Sequence, residues 1–261
     1  MIMVSEEACL EAFTALAMRV DVMMAERQLP IQEDVLVVED AIGKDVVNIE
    51  SRLFEFMQTR ATDDDGKARY VDAMGFSPTF HHADIAIPME LVCLKFGKDQ
   101  SWRRDPVFYI RNVAADLLGP SRAVIRRRLA STSPEGGRRI HFLTPDRIDP
   151  TLRKLFDLYD RSSANPVASS IALFWAMIHA HPLADGNKRL ARAIFQVSLI
   201  QKGYLRLPVL PIGPFYEADL PLVRAATDQW LEEGCLALAA NVMINICSQT
   251  LDGLKTVALR P

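Results

Sequence analysis

Two segments of this chain, NPVASSIALFWAMIHA (165–180) and KRLARAIFQVSLIQKG (188–203), are apolar on nearly every face of a helix. A helix of that kind has no side to turn to water, so other elements must pack around it. Two in succession place the chain among helical bundles, with this pair at the centre. The 261 residues, 49% of them hydrophobic, supply enough apolar surface to enclose it. The expected fold class is all-α, mainly a helical bundle, with one small β-hairpin.

The flanking segments supply the surround. Residues 5–28 repeat apolar character every three to four positions after a Ser5-Glu6-Glu7 start, and Pro30 ends that helix. A second helix is expected over about Glu33–Thr59. ATDDDGK (61–67) reads as a polar turn, since it lacks the alternating ligands and distal Glu of a calcium loop. From there to about Asp105, Gly, Pro and His follow no period, which predicts an irregular connection. DPVFYIRNVAADLLG reads as a helix closed by Gly119-Pro120, and PSRAVIRRRLAS (120–131) as another. In the latter, Arg122, Arg126, Arg127 and Arg128 would form a solvated face, or else dock an acidic target or nucleic acid. The Pro-Glu-Gly-Gly turn in STSPEGGRRIHFLTP (131–145) predicts a hairpin. A helix over DRIDPTLRKLFDLYDRS, the central pair, a Pro-punctuated loop (208–215) and two further helices complete the chain. This divides it into an N-terminal helical region of unassigned role (1–104) and a domain around the central pair (105–261).

A net charge of −3 gives no global reason to expect nucleic acid or an anionic membrane as partner. Cys9, Cys93, Cys235 and Cys247 form no CxxC pair, the usage of a reducing compartment. Acidic residues stand where a signal peptide carries cations, and the apolar run CLALAANVMINIC is too short to span a bilayer. A cytoplasmic protein is expected, although export without a cleavable signal would leave the same sequence.

The joint between the central helices, HPLADGNKRLAR (181–192), carries the chemistry. Pro182 disfavours helical geometry at the preceding residue, so His181 projects from a helix end. Asp185-Gly186-Asn187 supplies a tight turn, and the next helix starts near Asn187. Lys188, Arg189 and Arg192 then occupy its first turn and a half, against the positive end of the helix dipole. Three cations there make sense if an anion sits among the unbonded N–H groups of the helix start, as in a phosphate site. A His across from that anion is suited to act as general base for an attacking hydroxyl. An Asp beside phosphates is suited to Mg²⁺, which takes one or two carboxylates plus substrate oxygens. The parts point to phosphoryl or nucleotidyl transfer.

These residues resemble the signature of Fic domains, HxFx(D/E)GN(G/K)RxxR. His181, Asp185, Gly186, Asn187, Lys188, Arg189 and Arg192 match, and Leu183 stands where the family usually has the Phe that anchors the loop. The resemblance covers about residues 105–245 and implies the Fic fold. It also implies transfer of AMP from ATP to a Ser, Thr or Tyr hydroxyl of a target protein. His181 would then be the base and Asp185 the Mg²⁺ ligand. Gly186, Asn187 and Lys188 would form the anion hole through backbone N–H groups, with the Asn187 side chain helping, and Arg189 and Arg192 would bind the terminal phosphates. Gly186 favours this reading over the phosphate-transferring Doc branch, which often has Ala there. The hairpin would be the flap that aligns the target by strand addition, with Arg139, Ile140, His141 and Phe142 on it. A catalytically silent Fic-like scaffold or toxin-partner module is the alternative from a different class, suggested by Leu183 and the unassigned N-terminal third.

Many members of the family carry an inhibitory helix with the pattern (S/T)xxxE(G/N), whose Glu pairs with the second motif Arg. Residues 131–136 fit those letters, but Pro134 and the Gly pair oppose a helix. Residues 248–253 fit only with Asp252 in place of Glu. The letters therefore predict no inhibitory helix within this chain and leave open a separate antitoxin or inhibitor chain. His179, on a different helix face from His181, and His81-His82, without zinc-spaced partners, read as structural.

Overall fold

The computed structural model describes residues 2–27, 31–60, 88–132 and 139–258. At its centre lie α7 (Pro166–Ala180) and α8 (Asn187–Gln201), joined by the 181–186 loop and packed on each other. Every residue of α7 except Pro166 and Ile178 is buried, including Trp175 and Phe174, which fits its apolar composition on all faces. Asn165 fixes where α7 begins, its side-chain oxygen accepting from the Val167 N–H at 2.8 Å with Pro166 in the first turn.

The surround is helical, as the periodicity of the flanking segments predicted. α1 (Glu6–Arg27) lies along α7, and α6 (Pro145–Arg161) packs on both. α4 (Met89–Phe96) and α5 (Pro106–Leu118) cover α8. The long α11 (Ala237–Ala258) packs against α1, α2 (Ile31–Ile42), α3 (Ile49–Arg60) and α10 (Leu220–Glu233). No helix among the described residues is long and apolar enough to cross a membrane.

Four expectations change. The helix over 33–59 is two helices, α2 and α3, separated by a 3-10 segment (Gly43–Asn48) that starts at Gly43 with φ +49°. The stretch before Asp105 contains α4 and a 3-10 turn (Ser101–Arg103) rather than only irregular chain. α4 is too short to show a period. The Pro-punctuated loop gives way at Gly213 to a short helix, α9 (Gly213–Ala218), with Pro214 in its first turn.

The fourth change matters most for function. Residues 120–131 are not a helix: Gly119 (φ +87°, ψ 150°) turns the chain out of α5, and the segment runs on without helical structure. Ile125 bridges Leu183 and Ser131 bridges His141, both antiparallel. Burial runs opposite to the amphipathic helix reading. Val124 and Leu129 are 48% and 59% exposed, and Arg126 is 4% exposed. Hydrogen bonds to the 181–183 loop and to the flap outweigh the local helical propensity of the arginines.

The predicted hairpin is present in its arms, with Thr132 N–H donating to Ile140 O (2.9 Å) and Phe142 N–H to Ala130 O (3.0 Å). Its tip lies outside the described residues, as do the 61–67 turn and His81-His82. One feature had no sequence signal: β1 (Ile2–Met3) pairs in parallel with β2 (Ile140–His141). The far edge of the flap strand is thus occupied by the chain's own N-terminal strand.

Candidate active site

The 181–186 loop is held at His181, Pro182 and Leu183. His181 caps α7 in the left-handed conformation (φ 48°, ψ 57°), the one non-glycine residue with positive φ among the described residues. That conformation costs roughly 1–2 kcal/mol for an L-residue and persists only where neighbours hold it. Here the Arg126 Nε donates to His181 O at 2.6 Å, and the Arg126 N–H donates to Pro182 O at 2.9 Å. One turn on, the Asn187 side chain staples Leu183 from both sides. Its Oδ1 accepts from the Leu183 N–H and its Nδ2 donates to Leu183 O, each at 2.8 Å. Leu183 itself is fully buried, so it anchors the loop in the core.

The ring of His181 lies flat against Phe142, with centroids 3.9 Å apart and planes 6° from parallel. Burial, with a smaller contribution from the Arg126 cation, lowers its pKa from 6.5 to about 4, against opposing effects from a backbone hydrogen bond to Ile178 and from Asp185. At neutral pH the imidazole is uncharged, the form that accepts a proton. Beside it opens a cavity of about 280 Å³ whose lining includes Ser131 and Thr132 of the flap, Asn187 and Lys188 of α8, and Arg224 and Asp228 of α10. The neighbouring His179 is structural, as predicted. It is fully buried, with Nδ1 2.8 Å from Trp175 O and Nε2 3.3 Å from Thr227 Oγ1.

Across from His181 stands the start of α8. Gly186 (φ +80°) precedes it with no side-chain cap, and the first intrahelical bond runs from the Leu190 N–H to Gly186 O. The N–H groups of Asn187, Lys188 and Arg189 precede that bond, as expected of an anion-binding helix start. A Cβ on Gly186 would lie 2.4 Å from Leu118 Cδ1. Gly186→Ala is therefore expected to lower stability by about 2 kcal/mol, combining left-handed strain with displacement of Leu118. Urea unfolding of the variant checks this, and unchanged stability would mean that the turn can rearrange.

Asp185 is 69% exposed in its side chain, with Oδ1 accepting from the Gly186 N–H (2.7 Å) and Oδ2 3.9 Å from Arg122. No group of three or more potential metal ligands occurs among the described residues. A lone, open carboxylate next to a helix N-terminus fits Mg²⁺ carried on substrate phosphates rather than a protein cage.

The Fic/DOC family model matches residues 107–199. A Fido domain-containing protein of Dictyostelium discoideum is 31% identical over 102 residues, covering 38% of this chain and 68% of that protein. The chain belongs to the Fic/Fido family. Its fold is also shared with two solved structures. One is a Fic domain-containing signaling protein of Bacteroides thetaiotaomicron (TM-score 0.54, 14% identity, 95% of each chain). The other is a Fic family protein of Desulfovibrio desulfuricans (TM-score 0.51, 13% identity, 94% of this chain and 73% of that one). The likeness in fold thus reaches into the N-terminal third, beyond the residues the family model matches.

The Fic motif residues fall into three groups in space. His181, Asn187 and Lys188 meet at the cavity, while Asp185 stands exposed on the loop. Arg189 is buried, and Arg192 lies one turn further along α8, outside the cavity lining. On the flap, Ile140 and Phe142 line the cavity, and the His141 carbonyl accepts from the Val4 N–H at 2.8 Å, in line with β1. The Asn187 side chain has a role the sequence did not reveal, since its amide is spent on the loop.

Arg192 also has a partner that the motif letters missed. Its Nη1 lies 3.1 Å from Oε1 of Glu50 on α3, and both side chains are about 15% exposed (14% and 16%). Gly213 closes over the pair, since a Cβ there would lie 2.2 Å from each of those atoms. The (S/T)xxxE(G/N) pattern passes over Glu50 because Val46 and Ser51 stand at the flanking positions. Nothing in the sequence links two residues so far apart. Lys188 is likewise engaged, its Nζ 3.1 Å from the buried Glu217 carboxylate.

Next to Glu50 lies a second carboxyl group, Glu90 of α4, 6% exposed. Burial, reinforced by the Glu50 charge, raises its pKa from 4.5 to about 7. The folded chain therefore holds a proton there that the unfolded chain releases between pH 4.5 and 7, so this group costs stability as pH rises through that window. Glu90→Gln is expected to stabilise the protein by on the order of 2 kcal/mol at pH 8 and by almost nothing at pH 4. Denaturant unfolding at the two pH values measures the difference. An equal effect at both would remove Glu90 ionisation as the cause.

Proposed function

We propose that this protein is a Mg²⁺-dependent adenylyltransferase that moves AMP from ATP to a Ser, Thr or Tyr hydroxyl of a target protein. We further propose that Glu50 holds the site described above in a restrained state. The observation that carries the reading is the uncharged His181, fixed by its backbone at the mouth of a cavity and facing an uncapped helix start that begins with Gly186.

In this reading the target hydroxyl gives its proton to the His181 imidazole as its oxygen bonds to the α-phosphorus. The bond from that phosphorus to the bridging oxygen breaks, and pyrophosphate leaves. The backbone N–H groups of Asn187 and Lys188 receive the phosphate oxygens, preorganised by the stapled loop, and the Gly186 N–H joins them once the Asp185 carboxylate that accepts from it here turns to Mg²⁺. Asp185 would hold Mg²⁺, whose charge would neutralise the phosphates. Arg189 and Arg192 would serve the terminal phosphates, with Arg192 available once Glu50 has been displaced.

The flap edge that contains β2 is covered by β1, so strand addition by a target would use the opposite arm, at Ser131-Thr132, which lines the cavity. The acceptor is a protein, and control by a separate inhibitor chain is not required by this arrangement.

Incubation with ATP labelled at the α- or the γ-phosphate tests the reading. Label arriving only from the α-position supports AMP transfer. Label only from the γ-position would assign Doc-like phosphorylation instead. Absence of transfer in a Glu50→Ala variant would point to the silent scaffold.

A further inference from the structure

The geometry points to Arg126 as a positioning residue, whose guanidinium locks the catalytic His181 loop and the base of the flap into one unit. This inference rests on the transferase reading for its kinetic consequences, but its structural claim stands on contacts alone.

Arg126 is 4% exposed, in a segment where Arg127 and Arg128 are exposed. Its donors go to main-chain carbonyls on three separate stretches. Nε donates to His181 O (2.6 Å), Nη1 to Arg128 O (2.9 Å) and Nη2 to Leu143 O. Its own N–H donates to Pro182 O (2.9 Å). The carbonyls on both sides of the His181–Pro182 bond are thus held by one residue, at the point where His181 occupies the left-handed region. The Leu143 contact ties the same side chain to the residue after Phe142, the ring stacked on His181.

A planar, permanently charged fork is suited to this task, and its side-chain partners among the described residues are carbonyls rather than acids. Desolvation lowers its pKa, which marks the cost of burying a cation among neutral carbonyls. A lysine could reach one carbonyl but could not hold three in fixed directions. The retained positive charge also disfavours protonation of His181. Other charged or titratable groups around that ring, among the described residues, are Asp185 on the loop, His179 on α7, Lys188 on α8, Tyr216 on α9, and Arg224 and Asp228 on α10.

The test compares Arg126→Met and Arg126→Lys in the full chain. Two readouts are used. The first is the titration of His181 by NMR of histidine-labelled protein, assigned by the signal lost in His181→Gln. Arg126→Met should raise the His181 midpoint by at least about 0.5 in pH, because a nearby cation is removed. Arg126→Lys should leave it near the wild-type value.

The second readout is transfer activity in the Glu50→Ala background, with melting temperatures recorded for each protein. Both variants should lose about 100-fold in kcat while KM for ATP stays within a few-fold, the pattern of a misplaced base. Full rescue of kcat by Lys would overturn the clamp. So would a folded Arg126→Met protein with wild-type kcat and an unmoved His181 midpoint. If the Glu50→Ala parent transfers nothing, the transferase reading fails, and the NMR arm still decides the role of Arg126.

Discussion

Replacement of His181 by Ala is expected to reduce transfer by about 10²–10⁴-fold, the range for loss of a positioned general base, with little change in fold. The residue is a helix cap whose backbone is held by Arg126 and whose neighbours Leu183 and Asn187 hold the loop independently. Removing the imidazole leaves the anion-binding helix start in place, so binding of ATP should persist while the hydroxyl loses its proton acceptor. The pH dependence is part of the same expectation. With burial, then Arg126, depressing its pKa to about 4, the free protein should keep the base competent from neutral pH down to about 5. A kcat/KM profile already falling below pH 6.5 would show that His181 is solvated in the working enzyme. Unchanged transfer by His181→Ala would remove it from the chemistry.

Replacement of Glu50 by Ala is expected to act in the opposite direction. A hydrogen bond to a charged partner is worth roughly 1.5–3 kcal/mol, and Glu50 spends such a bond on the arginine that the Fic motif assigns to terminal phosphates. Freed of that competitor, Arg192 should bind ATP productively, and transfer should rise by roughly 10- to 150-fold, the factor to which that energy corresponds. Ala preserves the helix at that position, so the increase can be separated from unfolding by the melting temperature. If Glu50→Ala transfers no faster than wild type while remaining folded, the ion pair is a structural contact and control lies elsewhere.

The contrast between these two residues shows what a sequence of this kind discloses. The His181–Arg192 motif is contiguous, and each part has a local cause: Pro182 ends a helix, Gly186 permits a left-handed turn, and Asn187 opens the next helix. Local causes are legible, and so were the central helices, whose all-round apolarity required a bundle. Glu50 and Arg126 were not legible because their roles depend on partners far along the chain. The letters of the arginine-rich segment 120–131 permit a helix. In the fold its backbone donors and acceptors are claimed by Pro182, Leu183 and the flap, and its most buried arginine is the one that tertiary carbonyls satisfy. β1 has no sequence signal for a related reason: two residues of strand have no periodicity, and their partner β2 lies far along the chain.

The most direct measurement is transfer of label from ATP to protein acceptors in a cell lysate, comparing Glu50→Ala with the double variant Glu50→Ala/His181→Ala. The account predicts label from the α-phosphate, none from the γ-phosphate above the double variant, and loss of the α-label when His181 is removed. Label that depends on His181 but comes only from the γ-phosphate, or α-label that survives in the double variant, would contradict it.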